Sequence, residues 1–212
     1  MSSKIYNVSR RHAVTQGVLQ QPSLKKKIIV LASGSGSSFQ ALCKFFKNSE
    51  DLEISFLICN NKTAPALKKA AKEKVKTMII DKTTFESAEF LTKLLKLNVN
   101  LIVLAGFLWK VPQKIVESFK NKIINIHPSL LPKYGGKGMY GINVHQEVIK
   151  NNEKLSGFTI HYVNEEYDEG DIIFQKPLKI ETTNPNELSK QILKLEHKHY
   201  PLIIKKILDD QS

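Results

Sequence analysis

Lys27-Ile28-Ile29-Val30-Leu31-Ala32-Ser33-Gly34-Ser35-Gly36-Ser37-Ser38-Phe39 decides how the rest of the chain is read. It opens as a β-branched apolar run, the pattern of a buried strand. Small residues follow, and then Phe39, Leu42, Phe45 and Phe46 recur at helical spacing. Strand, Gly/Ser turn and helix together make an anion cradle. Glycines let the backbone come close, and the free N–H groups and dipole of a helix start favour negative charge. Ser35, Ser37 and Ser38 add hydroxyl donors. A tight turn that merely suits Gly and Ser would look the same locally, and the segment alone leaves both readings open. Two nucleotide readings fail. A dinucleotide fingerprint wants Gly or Ala where Phe39 stands, and an acid at the end of the second strand, where the chain has Asn60-Asn61. A Walker loop wants Gly-Lys-Ser/Thr, which is absent. The loop therefore suits a monophosphate.

Outward from this segment, strands and helices alternate. Strands are expected at Ile54–Cys59, Val75–Ile80 and Asn100–Ala105, and helices at Ala64–Lys74, Thr83–Leu97 and Pro112–Phe119. This order predicts an α/β fold, a doubly wound and mostly parallel sheet with flanking helices, turning mixed at its C-terminal edge. The Asn100–Ala105 strand, apolar from Leu101 onward, implies cover on both faces. Gly106-Phe107-Leu108-Trp109 follows it and can wall a pocket for a flat ring or serve as ordinary core. The Gly-rich run Lys133–Gly141 suits a lid, and Ile142–Asn151 reads as a helix carrying His145. Strands Phe158–Val163 and Ile172–Gln175 flank an acidic turn, Asn164 to Asp171. Asn184-Pro185-Asn186-Glu187 starts a last helix, expected to bury Leu188, Ile192, Leu195, His199 and Leu202 and to kink at Pro201.

Ile123-Ile124-Asn125-Ile126-His127-Pro128 is the second informative stretch. Residues i and i+2 of a strand point the same way, so Asn125 and His127 emerge together near its carboxyl end. Pro128 then stops the ladder. An amide beside an imidazole can steady an oxyanion and move a proton, or can merely cap a turn. A carboxylate from the acidic turn can fold back to orient His127, if that turn is more than a solvated connection.

The 212 residues and 42% hydrophobic content suit one domain. No apolar run approaches the ~18 residues a membrane span needs, so no membrane partner is expected. Cys43 and Cys59 make no disulfide framework and no metal spacing, and fit a reducing compartment. Half of the net charge of +12 sits in Lys4, Arg10, Arg11, Lys25, Lys26 and Lys27, with no acid before residue 28. Arg10 and Arg11 are the only arginines, and base readout leans on the Arg fork, so nucleic acid is not an expected partner. Residues 1–26 read as a disordered basic extension. A transit peptide is the alternative, which makes the expected localisation cytoplasmic, or organellar in that case. Residues 27–212 form the folded domain.

The combination of Val30-Leu31-Ala32-Ser33-Gly34-Ser35-Gly36-Ser37-Ser38-Phe39-Gln40-Ala41-Leu42, Leu104-Ala105-Gly106-Phe107, Asn125-Ile126-His127-Pro128-Ser129-Leu130-Leu131-Pro132-Lys133-Tyr134, Asp168-Glu169-Gly170 and Glu196-His197 resembles the glycinamide ribonucleotide formyltransferase family of folate-dependent enzymes. The likeness runs from about Lys27 to Leu208, and His-Pro-Ser-Leu-Leu-Pro is shared among folate formyltransferases generally. It implies a formyltransferase-like Rossmann variant over 27–212. It also implies formyl transfer from 10-formyltetrahydrofolate to glycinamide ribonucleotide in purine synthesis, with no metal, by a monomer or homodimer. Carried over by position, it makes Asn125, His127 and Asp168 catalytic. It puts the substrate phosphate on Gly36, Ser37 and Ser38, and Glu196 on the ribonucleotide side. It assigns folate to Leu108, Trp109, Lys110, Val111, Asn125, Asn164, Glu165, Glu166, Tyr167 and Asp168. The chain departs from the pattern in four places. Ser38 replaces a common Asn, Ala88 stands where an Arg often meets the folate tail, a lid His has become Asn143, and the lid is longer and richer in Gly. Two related enzymes are set aside as expectations. A methionyl-tRNA formyltransferase carries a further C-terminal domain, and a formyltetrahydrofolate deformylase an N-terminal regulatory one. A non-catalytic binder of nucleotides or RNA is the rival of another class.

Overall fold

The computed structural model describes residues 25–211. The basic extension expected over 1–26, with its transit-peptide alternative, lies outside the described residues save for its last two. The elements run β1 (Lys26–Ala32), α1 (Ser37–Phe46), β2 (Leu52–Cys59), α2 (Pro65–Lys72), β3 (Lys76–Ile79), α3 (Lys82–Glu86), α4 (Ala88–Lys96), β4 (Leu101–Leu104), α5 (Gln113–Ser118), β5 (Ile123–His127), α6 (Ile142–Lys150), β6 (Leu155–Tyr162), β7 (Ile172–Lys179) and α7 (Pro185–Asp209). They build a seven-stranded sheet in the order β3-β2-β1-β4-β5-β6-β7. The first five strands are parallel, and β6 and β7 join antiparallel. The mixed C-terminal edge is as the sequence led one to expect.

The period of two explains the two cores. On β1, Ile28, Val30 and Ala32 pack with α1, α2, α6 and α7, while Ile29 and Leu31 pack on the other face with α3, α4 and α5. Chain order reverses between β1 and β4, which are sheet neighbours. A crevice therefore opens at their carboxyl ends, where ligands bind in open α/β sheets. Two bonds tie the loops that frame it. Ser33 N–H donates to the Gly106 carbonyl at 3.0 Å, and Leu108 N–H donates to Ser33 Oγ at 3.0 Å.

Three expectations need correction. The single helix over Thr83–Leu97 is two, α3 and α4, broken at Ser87, whose backbone is extended (φ −78°, ψ 149°). Ser87 Oγ accepts from Phe90 N–H at 3.1 Å and donates to the Thr84 carbonyl at 2.7 Å, so the serine prefers capping to helix continuation. The last two strands are longer than expected. β7 runs through Pro177, which the missing N–H allows on an edge strand. In α7 the buried stripe is Leu188, Ile192, Glu196, Tyr200, Ile204 and Leu208, while Leu202 is exposed. The helix turns an acid inward on a perfect i, i+4 row, and it continues past Pro201 to Asp209. The cap residue itself is as expected: Asn184 Oδ1 accepts from Asn186 N–H at 2.9 Å. Glu187 bonds the Thr182 hydroxyl instead of closing a capping box.

Candidate active site

A cavity of about 500 Å³ lies at the crevice, walled by the loops after β1, β4 and β5, by the Gly-rich segment, and by α7. Asn125 and His127 stand together at its floor because both occupy the same face of β5. Asp168 reaches them from the turn between β6 and β7. Its Oδ2 is 3.4 Å from His127 Nδ1, and its Oδ1 accepts from Asn125 Nδ2 at 3.4 Å. Asp168 holds a left-handed φ of 60°, an uncommon conformation for a residue with a side chain. Gly135 permits the close approach of the lid, since a Cβ there would sit 2.6 Å from Leu131 Cδ2 and 3.2 Å from Asp168 Cβ.

The environment sets the ionisation of these groups. Burial works to raise the Asp168 carboxyl, but the hydrogen bond from His127, the His127 charge and Gly136 N–H outweigh it and hold the group well below the usual carboxylate range. Gly136 N–H donates to Oδ2 at 2.9 Å. His127 is 4% exposed, and its Nε2 donates to the Tyr134 carbonyl at 2.7 Å. That bond fixes a proton on Nε2. Nδ1 is left to meet Asp168 and the cavity, and it carries a proton only when the ring is cationic. The Nε2–H tautomer is thus set by a backbone carbonyl of the lid.

One end of the cavity is the start of α1, where the sequence led one to expect a phosphate. Gly36 caps it in the left-handed region (φ 68°, ψ 28°), no side chain caps the first turn, and the first internal bond is Gln40 N–H to the Gly36 carbonyl. The first-turn amides of Ser37 and Ser38 therefore remain as donors. Ser35 and Ser37 line the cavity, whereas Gly36 and Ser38 do not. Gly36 is required for another reason: a Cβ would meet Ala66 Cβ at 2.6 Å.

At the other end Leu108, Trp109, Lys110, Val111, Asn164, Glu166 and Tyr167 line the wall. Trp109 is braced by Phe85 and Phe107, each with ring centroids 6.1 Å away. Glu165 lies outside this cavity and borders an adjoining one of about 480 Å³ that also holds Lys82 and Lys110. Ala88, where the resembling family often has Arg, opens α4 and lines neither cavity.

Two buried titratable groups complete the lining. Glu196 is 7% exposed, and burial alone pushes its carboxyl up to about 8, so at neutral pH it is an uncharged donor and acceptor. Burial first, and the His127 charge second, push His145 down to about 4. His161, Tyr134 and Gly136 were not singled out from sequence. The alternation of Thr159 and His161 along β6 repeats that of Asn125 and His127, and it was the available signal for His161.

The sequence pattern described as formyl transferase matches residues 26–204. The chain is 35% identical over 195 residues to the chloroplastic phosphoribosylglycinamide formyltransferase of Arabidopsis thaliana, covering 88% of this chain and 67% of that protein. It is 34% identical over 190 residues to the phosphoribosylglycinamide formyltransferase of Bacillus subtilis, covering 86% and 95%. The crystal structure of phosphoribosylglycinamide formyltransferase from Anaplasma phagocytophilum superposes with a TM-score of 0.79 at 36% identity, covering 88% of this chain and 89% of that one.

Proposed function

The chain belongs to the formyl transferase family, and we infer from this premise and from the cavity that it is an enzyme. It transfers a formyl group from 10-formyltetrahydrofolate to the amine of glycinamide ribonucleotide, in de novo purine biosynthesis. The observation that carries the reading is one continuous cavity with a helix N-terminus at one end, an aromatic wall at the other, and Asn125, His127 and Asp168 between them. Among the described residues no cluster suits a metal ion, and the cosubstrate is 10-formyltetrahydrofolate.

The residues present fit both substrates. A phosphate finds the uncapped start of α1 with Ser35 and Ser37. A flat pteridine finds Leu108, Val111 and the braced Trp109, with Asn164 and Asp168 as polar partners and Lys110, Glu165, Glu166 and Tyr167 outward. The folate supplies the activated formyl carbon. Asn125 Nδ2–H and His127 Nδ1–H each lie 3.4 Å from the Asp168 carboxylate and beside the cavity, and both donate to oxygen charge developing as the amine attacks. Such a donor contributes roughly 3 kcal/mol and general acid catalysis about 100- to 10,000-fold. Asp168 keeps its charge, holds the Nδ1 proton in line and favours departure of the amine proton. When Nδ1 gives its proton to the folate nitrogen as that nitrogen's bond to the formyl carbon breaks, the ring returns to the neutral Nε2–H form that the Tyr134 carbonyl already holds, and the amine releases its own proton to water. Glu196, uncharged and buried, offers a donor and an acceptor to the ribonucleotide.

The test is tetrahydrofolate release from 10-formyltetrahydrofolate with and without glycinamide ribonucleotide. Release that depends on the ribonucleotide supports transfer. Release without it means a deformylase, and none at all means a binder. Residues 27–212 act as one catalytic unit, as a monomer or homodimer, without nucleic acid or membrane as partner. No described helix is long and apolar enough to cross a membrane. A reducing compartment, the cytoplasm or an organelle interior, fits the two free buried cysteines, Cys43 and Cys59.

A further inference from the structure

We propose that His161 is a positioning residue for Asn125: its unprotonated Nε2 accepts one amide N–H and so fixes which edge of the amide faces the reacting oxygen. This rests on the reading of Asn125 as an oxyanion donor. The antiparallel register places Asn125 directly opposite His161, on the same face of the sheet. His161 is 2% exposed and cannot exchange partners with bulk water. Its Nδ1 donates to the Tyr162 carbonyl at 2.8 Å, which commits the proton to that nitrogen. Nε2 is then an acceptor, and Asn125 Nδ2 lies 3.1 Å from it. Asp168 Oδ1 is farther from Nε2, at 3.6 Å, so the amide is the closer partner.

The consequence is directional. An asparagine amide has a donating and an accepting edge, and a 180° turn of χ2 exchanges them at little intrinsic cost. Only the donating edge stabilises an oxyanion. With one N–H given to His161, the second is held by Asp168 Oδ1, 3.4 Å away, and is the one that can turn to a reacting oxygen in the cavity. The turned amide would put its oxygen against the Nε2 lone pair, acceptor against acceptor. His161 therefore selects the catalytic rotamer of Asn125 without touching substrate.

Three measurements test this together. His161→Leu should lower kcat roughly 10- to 100-fold, below the full loss of an oxyanion donor, with both KM values within about twofold. His161→Gln, whose Oε1 can take the place of Nε2, should recover most of that loss. His161→Leu added to Asn125→Ala should cost nothing further, because the amide it positions is gone. Nitrogen NMR of the wild-type imidazole at pH 7.5 should show a protonated Nδ1 and a bare Nε2 on His161, whether or not any variant folds. A His161→Leu enzyme with unchanged kcat, additive losses in the double variant, or a protonated Nε2 would overturn the positioning role. In the first two cases an active wild type leaves formyl transfer standing. An inactive wild type would instead refute the functional reading.

Discussion

Replacing Glu196 with glutamine removes a carboxyl that the fold keeps uncharged at a cost in stability. Its only perturbation is burial, which raises it from 4.5 to about 8. The folded chain therefore binds a proton that the unfolded chain has released at every pH between those values. Because the folded value is the higher one, the stability is fully present below pH 4.5, falls as pH rises, and levels off above about pH 8. Each pH unit is worth about 1.36 kcal/mol, so at pH 7 the penalty is about 3 kcal/mol. Glutamine matches the shape, can still donate and accept, and does not titrate. Glu196→Gln should match the wild type at pH 4 to within a constant offset and exceed it at pH 7 by a further ~3 kcal/mol. For a chain of this size that is about 6–12 °C in Tm. Urea unfolding followed by circular dichroism at the two pH values measures the difference directly, and subtracting the pH 4 offset removes every contribution shared by the two proteins. If the stability difference is the same at both, Glu196 is not held neutral, and the description of that end of the cavity is wrong.

Ser37→Asp places a carboxylate at the uncapped start of α1 and should raise the KM for glycinamide ribonucleotide at least about tenfold, by like-charge repulsion of a phosphate. The folate KM should barely move, and equal changes in both would remove the phosphate from this loop. Valine at Gly36 is a poor probe, since the contact with Ala66 would disturb the loop whatever binds there. Ser87→Ala should lower unfolding stability by about 1 kcal/mol through loss of the α4 cap, with kcat unchanged; a loss below about 0.3 kcal/mol would mean the break between α3 and α4 does not depend on that hydroxyl.

The features legible in the sequence were those with a local cause. The β-branched apolar run of Lys27–Ala32, the Gly/Ser turn and the helical spacing after it gave the first β-α unit, and the run ending at Pro128 gave Asn125 and His127 a common face. The split at Ser87 was also local, since Ser-Ala-Glu-Phe is a helix start, but the continuous apolar face masked it. The inward turn of Glu196 ran against the expectation that buried stripes are apolar. Two contributions had no signature to find. The Tyr134 carbonyl and Gly136 N–H are backbone groups that any residue carries. The pairing of Asn125 with His161 follows from antiparallel register, which a strand pattern alone does not set.

The most direct measurement is the single-turnover rate of His127→Ala beside the wild type, with glycinamide ribonucleotide affinity measured by calorimetry on both. If His127 Nδ1 donates to the reacting oxygen and moves the proton, the rate falls about 100- to 10,000-fold while the dissociation constant stays within about threefold. A variant that binds the ribonucleotide normally and turns over near the wild-type rate would contradict the catalytic assignment of Asn125, His127 and Asp168.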